Sequence, residues 1–366
     1  VGAALAGTGG ALNFGPMTAT GTYSVVATDA VTGCVAAMPG TASVGVNTTP
    51  VVYAVTGGGS YCTGSTGVHV GLSGSNSGVN YQLYRGSVAA GAPVAGTGSD
   101  LDFGIMTVAG TYTVRATDAV SSCSSNMSDQ ADVVINSLPS VYTVTGGGNY
   151  CTGGAGVVLG LSGSQIGTNY QLYNGSTPVG ASISGTGLAL NFGSQTAAGS
   201  YNVIASGAFT SCTLPMTGVA SVSVNAVPVA YNVSGGGAYC NGSTPASITL
   251  DGSSTGVTYR LYNGATAVGA PVSGSGGSIS FGSYTTTGSY SVLATNATTG
   301  CTAPMSGSAS VMQNPLPASY SVTGGGNYCS GGAGVAVGLS SSSVGVSYQL
   351  FSGTSAVCDP VIGTGS

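Results

Sequence analysis

The sequence has no lysine, no glutamate and no tryptophan, and its only histidine is His69. Three arginines and eight aspartates make up the whole charge inventory, 3% of 366 residues, for a net charge of −5. Soluble domains ordinarily carry about 25%. Each shortage excludes something. Without a basic face the chain has nothing to hold a phosphate backbone, so no nucleic-acid partner is expected. Catalysis calls for a titratable group poised near working pH beside a second that orients it; one histidine and scattered aspartates do not supply that, and no enzyme is expected. Lysine–asparagine cross-links cannot form. No carboxylate recurs in every repeat: Asp29 and Asp118 give way to Gly207 and Asn296, and Asp100 and Asp102 to Ala189 and Asn191. Hard cations want clustered carboxylates and zinc wants closely spaced cysteine pairs, so neither metal nor cofactor is expected. Apolar runs are broken within a few residues by Gly, Ser and Thr, so no membrane insertion is expected.

What the chain has in quantity is glycine (66), apolar residues (42%) and repetition. The phrase "YTVTGGGNYC" starts at Tyr142, and near-copies start at Tyr53, Tyr231 and Tyr320. Cys62, Cys151, Cys240 and Cys329 stand 89 residues apart, and Cys34, Cys123, Cys212 and Cys301 keep the same period. A fixed period of this kind marks a tandem array. Each period is long enough to bury its own core, which favours separate domains over a solenoid. Framed on the recurring prolines at 50, 139, 228 and 317, the chain reads as a partial repeat over 1–49, full repeats over 50–138, 139–227 and 228–316, and a partial repeat over 317–366. Both termini fall mid-repeat, as expected for a piece of a longer polypeptide.

Within one repeat, "VYTVTGG", "GVVLGL", "TNYQLYNG", "ALNFG", "AAGSYNVIAS" and "GVASVSVN" alternate apolar and polar residues at period two, with turn signals about every ten residues. The fold class is all-β: a tandem array of immunoglobulin-like β-sandwiches of about 89 residues each. The glycine triplets are followed by Tyr-Cys and a strand, not by Lys-Ser/Thr and a helix, so they predict a tight bend and not a phosphate loop.

The phrases "GTYSVVAT", "GTYTVRAT", "GSYNVIAS" and "GSYSVLAT" resemble the tyrosine corner of immunoglobulin-like domains, which assigns that role to Tyr23, Tyr112, Tyr201 and Tyr290. Where antibody domains place a cysteine two residues on, this chain has Val25, Val114, Val203 and Val292. The combination of "YCTGGAGVVLGLSGS", "YQLYNG", "SGTGLALNFG" and "AAGSYNVIASGAFTSC" resembles the tandem immunoglobulin-like repeats of very large cell-surface proteins of Bacteroidota, gliding-motility adhesins and other type IX secreted proteins among them. That resemblance covers every repeat. It implies a place outside the cell and a shaft-like role.

Cysteines recurring in a chain with so little charge predict disulfides formed outside the cytoplasm. Two pairings fit. Cys62–Cys123, Cys151–Cys212 and Cys240–Cys301 each close 61 residues inside one repeat; Cys34–Cys62 and its equivalents each close 28 across a joint. Chain entropy gives about 4 kcal/mol for either. The internal pairing is preferred, because in an extended string the F–G turn of one unit is expected to lie far from the early strands of the next. Cys358 fits neither scheme. The joints "NTTP", "NSLP", "NAVP" and "NPLP" are short and proline-stiffened, which predicts a semi-rigid rod. Tyr84, Tyr173, Tyr262 and Phe351 fall on the off-core face of the third strand, one per repeat, where they suit a surface polysaccharide or a lateral contact with another chain. With few charges guarding sheet edges, self-association into fibres is expected alongside contact between neighbouring repeats. The expected function is thus the semi-rigid shaft of an extracellular adhesin or filament, with a polysaccharide-binding array as the alternative.

Overall fold

A computed structural model describes residues 3–366; Val1 and Gly2, which open the 1–49 segment, lie outside the described residues. The described chain consists of strands, turns and bends, with no helix. It divides into two compact units, one of Val1–Thr145, Gly160–Phe192 and Ser200–Ala220, the other of Gly146–Leu159, Gly193–Gly199 and Ser221–Ser366. The strands of the second repeat all belong to the first unit and those of the fourth to the second, so these two repeats show the fold most directly.

The first segment contributes β1 (Gly21–Tyr23), β2 (Val26–Thr28), β3 (Val35–Ala37) and β4 (Ala42–Val44), with β1 paired to β4 and β2 to β3. The second repeat then runs β5 (Val55–Gly57), β6 (Gly59–Cys62), β7 (Val68–Leu72), β8 (Val79–Arg85), β9 (Val88–Ala89), β10 (Val94–Ala95), β11 (Leu101–Met106), β12 (Gly110–Asp118), β13 (Ser124–Asn126) and β14 (Ala131–Asn136). One sheet has the order β11-β7-β5, the other β10-β8-β12-β14-β6, with β9 beside β8 and β13 beside β12. All ladders are antiparallel except that of β14 with β6, which is parallel and matches Val133 to Gly59 through Asn136 to Cys62. A first strand split between the two sheets, its second half parallel to the last strand, is the immunoglobulin-like arrangement.

Period-two alternation decides which side chains enter the core. In β8, Val79, Tyr81 and Leu83 are buried while Asn80, Gln82 and Tyr84 face away; in β12, Tyr112, Val114 and Ala116 are buried. Val55, Val70, Leu72, Leu101, Met127, Ala131 and Val133 complete the cluster. The fourth repeat places Val233, Ile248, Leu250, Val257, Tyr259, Leu261, Ile279, Tyr290, Val292, Ala294, Met305, Ala309 and Val311 at the same thirteen positions, two periods on. Burying each of the larger of these side chains stabilises the fold by roughly 1.5–3 kcal/mol. Tyr81 sits fully buried on strand β8, where antibody domains carry tryptophan, and its hydroxyl accepts a hydrogen bond from the Asn76 N–H at 2.9 Å. Burial pushes the Tyr81 phenol above its ordinary pKa, so it stays neutral.

The glycine triplet is the crossover between the two halves of the first strand. Gly57, Gly58 and Gly59 have φ of 84°, 76° and 119°. A Cβ on Gly57 would stand 2.2 Å from the His69 carbonyl oxygen in one sheet, and a Cβ on Gly58 2.8 Å from the Asp132 carbonyl oxygen in the other. Only glycine allows the backbone to leave β7 and reach β14 within three residues.

Candidate functional site

The site singled out by the geometry is the joint between consecutive repeats. Because β6 runs parallel to β14, its last residue, Cys62, lies opposite Asn136, the last residue of the repeat before the proline joint. Thr63 fastens that end through its N–H and hydroxyl to the Asn136 carbonyl, at 2.9 and 3.1 Å. Cys123 belongs to the turn between β12 and β13, at the opposite end of the sandwich, and its Sγ lies 3.9 Å from the Asn47 carbonyl of the preceding joint. The two cysteines of one repeat therefore close opposite ends.

Bonding follows from that placement. Cys62 is joined to Cys212, and Cys151 to Cys301, each across 150 residues, with Cα atoms 5.7 and 5.6 Å apart. The expected internal pairs Cys62–Cys123, Cys151–Cys212 and Cys240–Cys301 are thus corrected, as is the pairing of Cys34 with Cys62. From sequence, Cys62 is expected beside the F–G turn of its own repeat, which carries Cys123; the parallel β6–β14 ladder carries it to the opposite end of the sandwich instead. Cys212 and Cys301 are fully buried, and Cys301 Sγ lies 4.0 Å from the Asn225 carbonyl, in the pose that Cys123 takes toward Asn47. Cys34, Cys123, Cys240, Cys329 and Cys358 are thiols.

Local hydrogen bonds shape the turn that presents the second cysteine. Asp118 Oδ1 accepts from the Ser121 N–H at 2.7 Å and the Val120 N–H at 3.1 Å, and the Asp118 N–H donates to the Cys123 carbonyl at 2.9 Å. Asp29 and Asn296 do the same in their repeats. The backbone N–H of Ser121, then its hydroxyl and the Val120 N–H, hold the Asp118 carboxyl below the usual aspartate range. The aspartates that sequence reading set aside as scattered are turn-formers here, exchangeable with Asn because only the acceptor oxygen is used.

The hydroxyls of Tyr23, Tyr112 and Tyr290 donate to the carbonyls of Ala19, Val108 and Thr286, four residues upstream, at 2.7, 2.8 and 2.8 Å. Tyr201 is buried at the matching position. A second tyrosine of each full repeat, absent from the sequence reading, makes a longer tie: Tyr61 and Tyr239 donate to the carbonyls of Thr107 and Thr285 at 2.6 Å, and Tyr150 to that of Thr196. Its signal was the Tyr preceding each Cys of the repeated phrase.

The face carrying Tyr84, Tyr173 and Tyr262 is half-buried, and Phe351 is 57% exposed. Beside the first two rings, Gln82 Nε2 donates to the carbonyls of Leu83 and Gly91, and Gln171 Nε2 to those of Leu172, Val179 and Gly180. These amides bind their own hairpins. His69 Nδ1 and Asp102 Oδ2 are 2.8 Å apart on an open sheet surface, with side chains 63% and 59% exposed. An apolar cleft of about 470 Å³ is lined by Val322, Val337, Leu339, Tyr348, Leu350 and Ile362; the first five hold positions that in the second repeat are the core residues Val55, Val70, Leu72, Tyr81 and Leu83. Among the described residues no group of three or more His, Cys, Asp or Glu gathers to hold a metal, and no helix is long and apolar enough to cross a membrane.

Strand order and site together define a class: a tandem immunoglobulin-like array whose neighbouring repeats are cross-linked. No protein-family profile matches the sequence, and no curated protein matches it. Solved tandem arrays are similar to it at low scores. Sidekick-1 immunoglobulin domains 1–5 give a TM-score of 0.29 at 14% identity, covering 81% of this chain and 67% of that one. The chicken CNTN1 FN1–FN3 domains give 0.24 at 12%, covering 67% and 94%. The I9–I11 tandem from titin gives 0.21 at 9%, covering 74% and 98%. The assignment of the fold rests on the strand order and the parallel β6–β14 ladder.

Proposed function

We propose that this chain is an extracellular structural protein, part of the shaft of a cell-surface adhesin or filament. The observation that carries the reading is the bond from Cys62 to Cys212: a cystine spent on joining one sandwich to the next serves continuity along the array. Disulfides of this kind persist in oxidising compartments. The resemblance to surface-protein repeats of Bacteroidota supports the same location and the same role. We read the chain as non-enzymatic, since its His69–Asp102 pair lies on an open surface and acts as a cross-strand tie. The reading includes association of chains into fibres through sheet edges such as β11, which carries Asp102 as its single charge. Electron microscopy of the purified, oxidised protein tests it. Long threads of beaded density are the expected result, and compact globules overturn the reading.

A further inference from the structure

The two cystines interleave along the chain in the order Cys62, Cys151, Cys212, Cys301. Treating each cystine as one junction, the polypeptide between Cys62 and Cys301 becomes three covalent strands running side by side between the same two junctions: residues 62–151, 151–212 and 212–301. From this connectivity we propose that the array is a covalently redundant, redox-gated tether. It stays one molecule after backbone cleavage between Cys62 and Cys301, and it cannot be drawn out beyond its shortest strand.

Both consequences follow by tracing bonds. A cut in 62–151 leaves the Cys62–Cys212 bond holding the two pieces; a cut in 212–301 leaves Cys151–Cys301; a cut in 151–212 leaves both. Even two cuts, one in each outer strand, leave the central strand joining everything. Under tension the shortest strand goes taut first, and that is 151–212, 61 residues within the third repeat. Fully extended it spans about 210 Å, against about 840 Å for the 239 residues between Cys62 and Cys301 once both cystines are open. Reduction by a phosphine and one water per cystine, in which the phosphine takes the water's oxygen and leaves as phosphine oxide while the cystine takes two electrons and the water's two protons to give two thiols, converts the short tether into the long one. Pairing within repeats has no such redundancy, because a cut at any joint would then separate the chain. The inference is independent of where the protein works, so it stands or falls apart from the cell-surface reading.

The test places a specific protease site after Ser137 and another after Ala226, both exposed residues of the joints, in the full chain. After oxidation, cleavage at both sites and blocking of free thiols, denaturing electrophoresis is run with and without phosphine. One full-mass species without phosphine and three fragments with it are expected. Three separate fragments without phosphine overturn the proposal. Should the insertions prevent folding, single-molecule stretching of the unaltered chain by its ends gives the second reading: phosphine should add contour in two steps, 28 residues and then 150, about 620 Å in all, whereas three equal steps of 61 residues, the mark of pairing within repeats, or a contour unchanged by phosphine overturns the proposal equally.

Discussion

Cys62 and Cys212 are bonded across a proline joint with Cα atoms 5.7 Å apart, although a full repeat and more of chain separates them. Cys62 ends the parallel strand beside Asn136, and the turn holding Cys212 comes to meet it. Closing a loop of 150 residues removes denatured-chain entropy worth about 5 kcal/mol in the chain-entropy account. Cys212→Ser should therefore lower the unfolding free energy by up to about 5 kcal/mol, leaving Cys151–Cys301 intact. Thermal unfolding with and without reductant checks it, since the wild type gains its excess stability only in the oxidised form.

The crossover at the glycine triplet gives a graded expectation. Gly57→Ala meets the His69 carbonyl at 2.2 Å and holds φ at 84°, whereas Gly59→Ala, at φ 119°, has nothing within 4 Å of its Cβ. The left-handed conformation alone costs roughly 1–2 kcal/mol. Urea unfolding should rank Gly57→Ala clearly below Gly59→Ala, and equal losses would contradict the close approach described.

Much of this fold is legible in the sequence because period-two alternation is strong: Tyr81, Leu83, Tyr112 and Val114 announce their burial, and the Gly-x-Tyr-x-Val phrase announces the corner. The disulfide partners were not legible. Two cysteines 61 residues apart in one repeat look like partners until one knows that β6 runs parallel to β14 and takes Cys62 to the far end. That ladder is a non-local pairing with no local signature beyond the glycine triplet that makes it possible. The role of Asp118 was hidden for a different reason. An aspartate that serves as a turn acceptor is replaceable by Asn296, and so does not recur as an acid.

Acid should weaken the fold in one direction only. Asp29, Asp118 and Asp251 are held below the ordinary aspartate range, chiefly by backbone N–H donors of Thr32, Ser121 and Asn232, and Asp102 by that of Gly104. A depressed folded pKa means the stabilisation is complete above the unfolded value, about 3.9, and is lost as pH falls through the folded value. Stability should be level from pH 8 to 5 and decline below about 4. These carboxylates are exposed, so the decline should be shallow. A loss beginning near pH 6 would contradict it.

Rearrangement tests the bonding rule itself. Residues 11–49 carry, in register, the positions that follow 317–366 within one repeat: Leu12, Phe14, Tyr23 and Val25 match Leu101, Phe103, Tyr112 and Val114. A polypeptide of residues 50–366 continued by 11–49 should fold a complete last sandwich, bury Val322 and Val337, now 69% and 47% exposed, and place Cys34 150 positions after Cys240. A third inter-repeat cystine, Cys240–Cys34, is expected by mass spectrometry. Recovery of both as alkylated thiols after oxidation would contradict the rule.

The most direct measurement is peptide mapping of the oxidised, unreduced chain after blocking of free thiols. Peptides linking Cys62 to Cys212 and Cys151 to Cys301, with Cys123 and Cys240 recovered as blocked thiols, are the expected result. Peptides linking Cys62 to Cys123, Cys151 to Cys212 and Cys240 to Cys301 would contradict the account, and the covalent continuity from repeat to repeat would go with it.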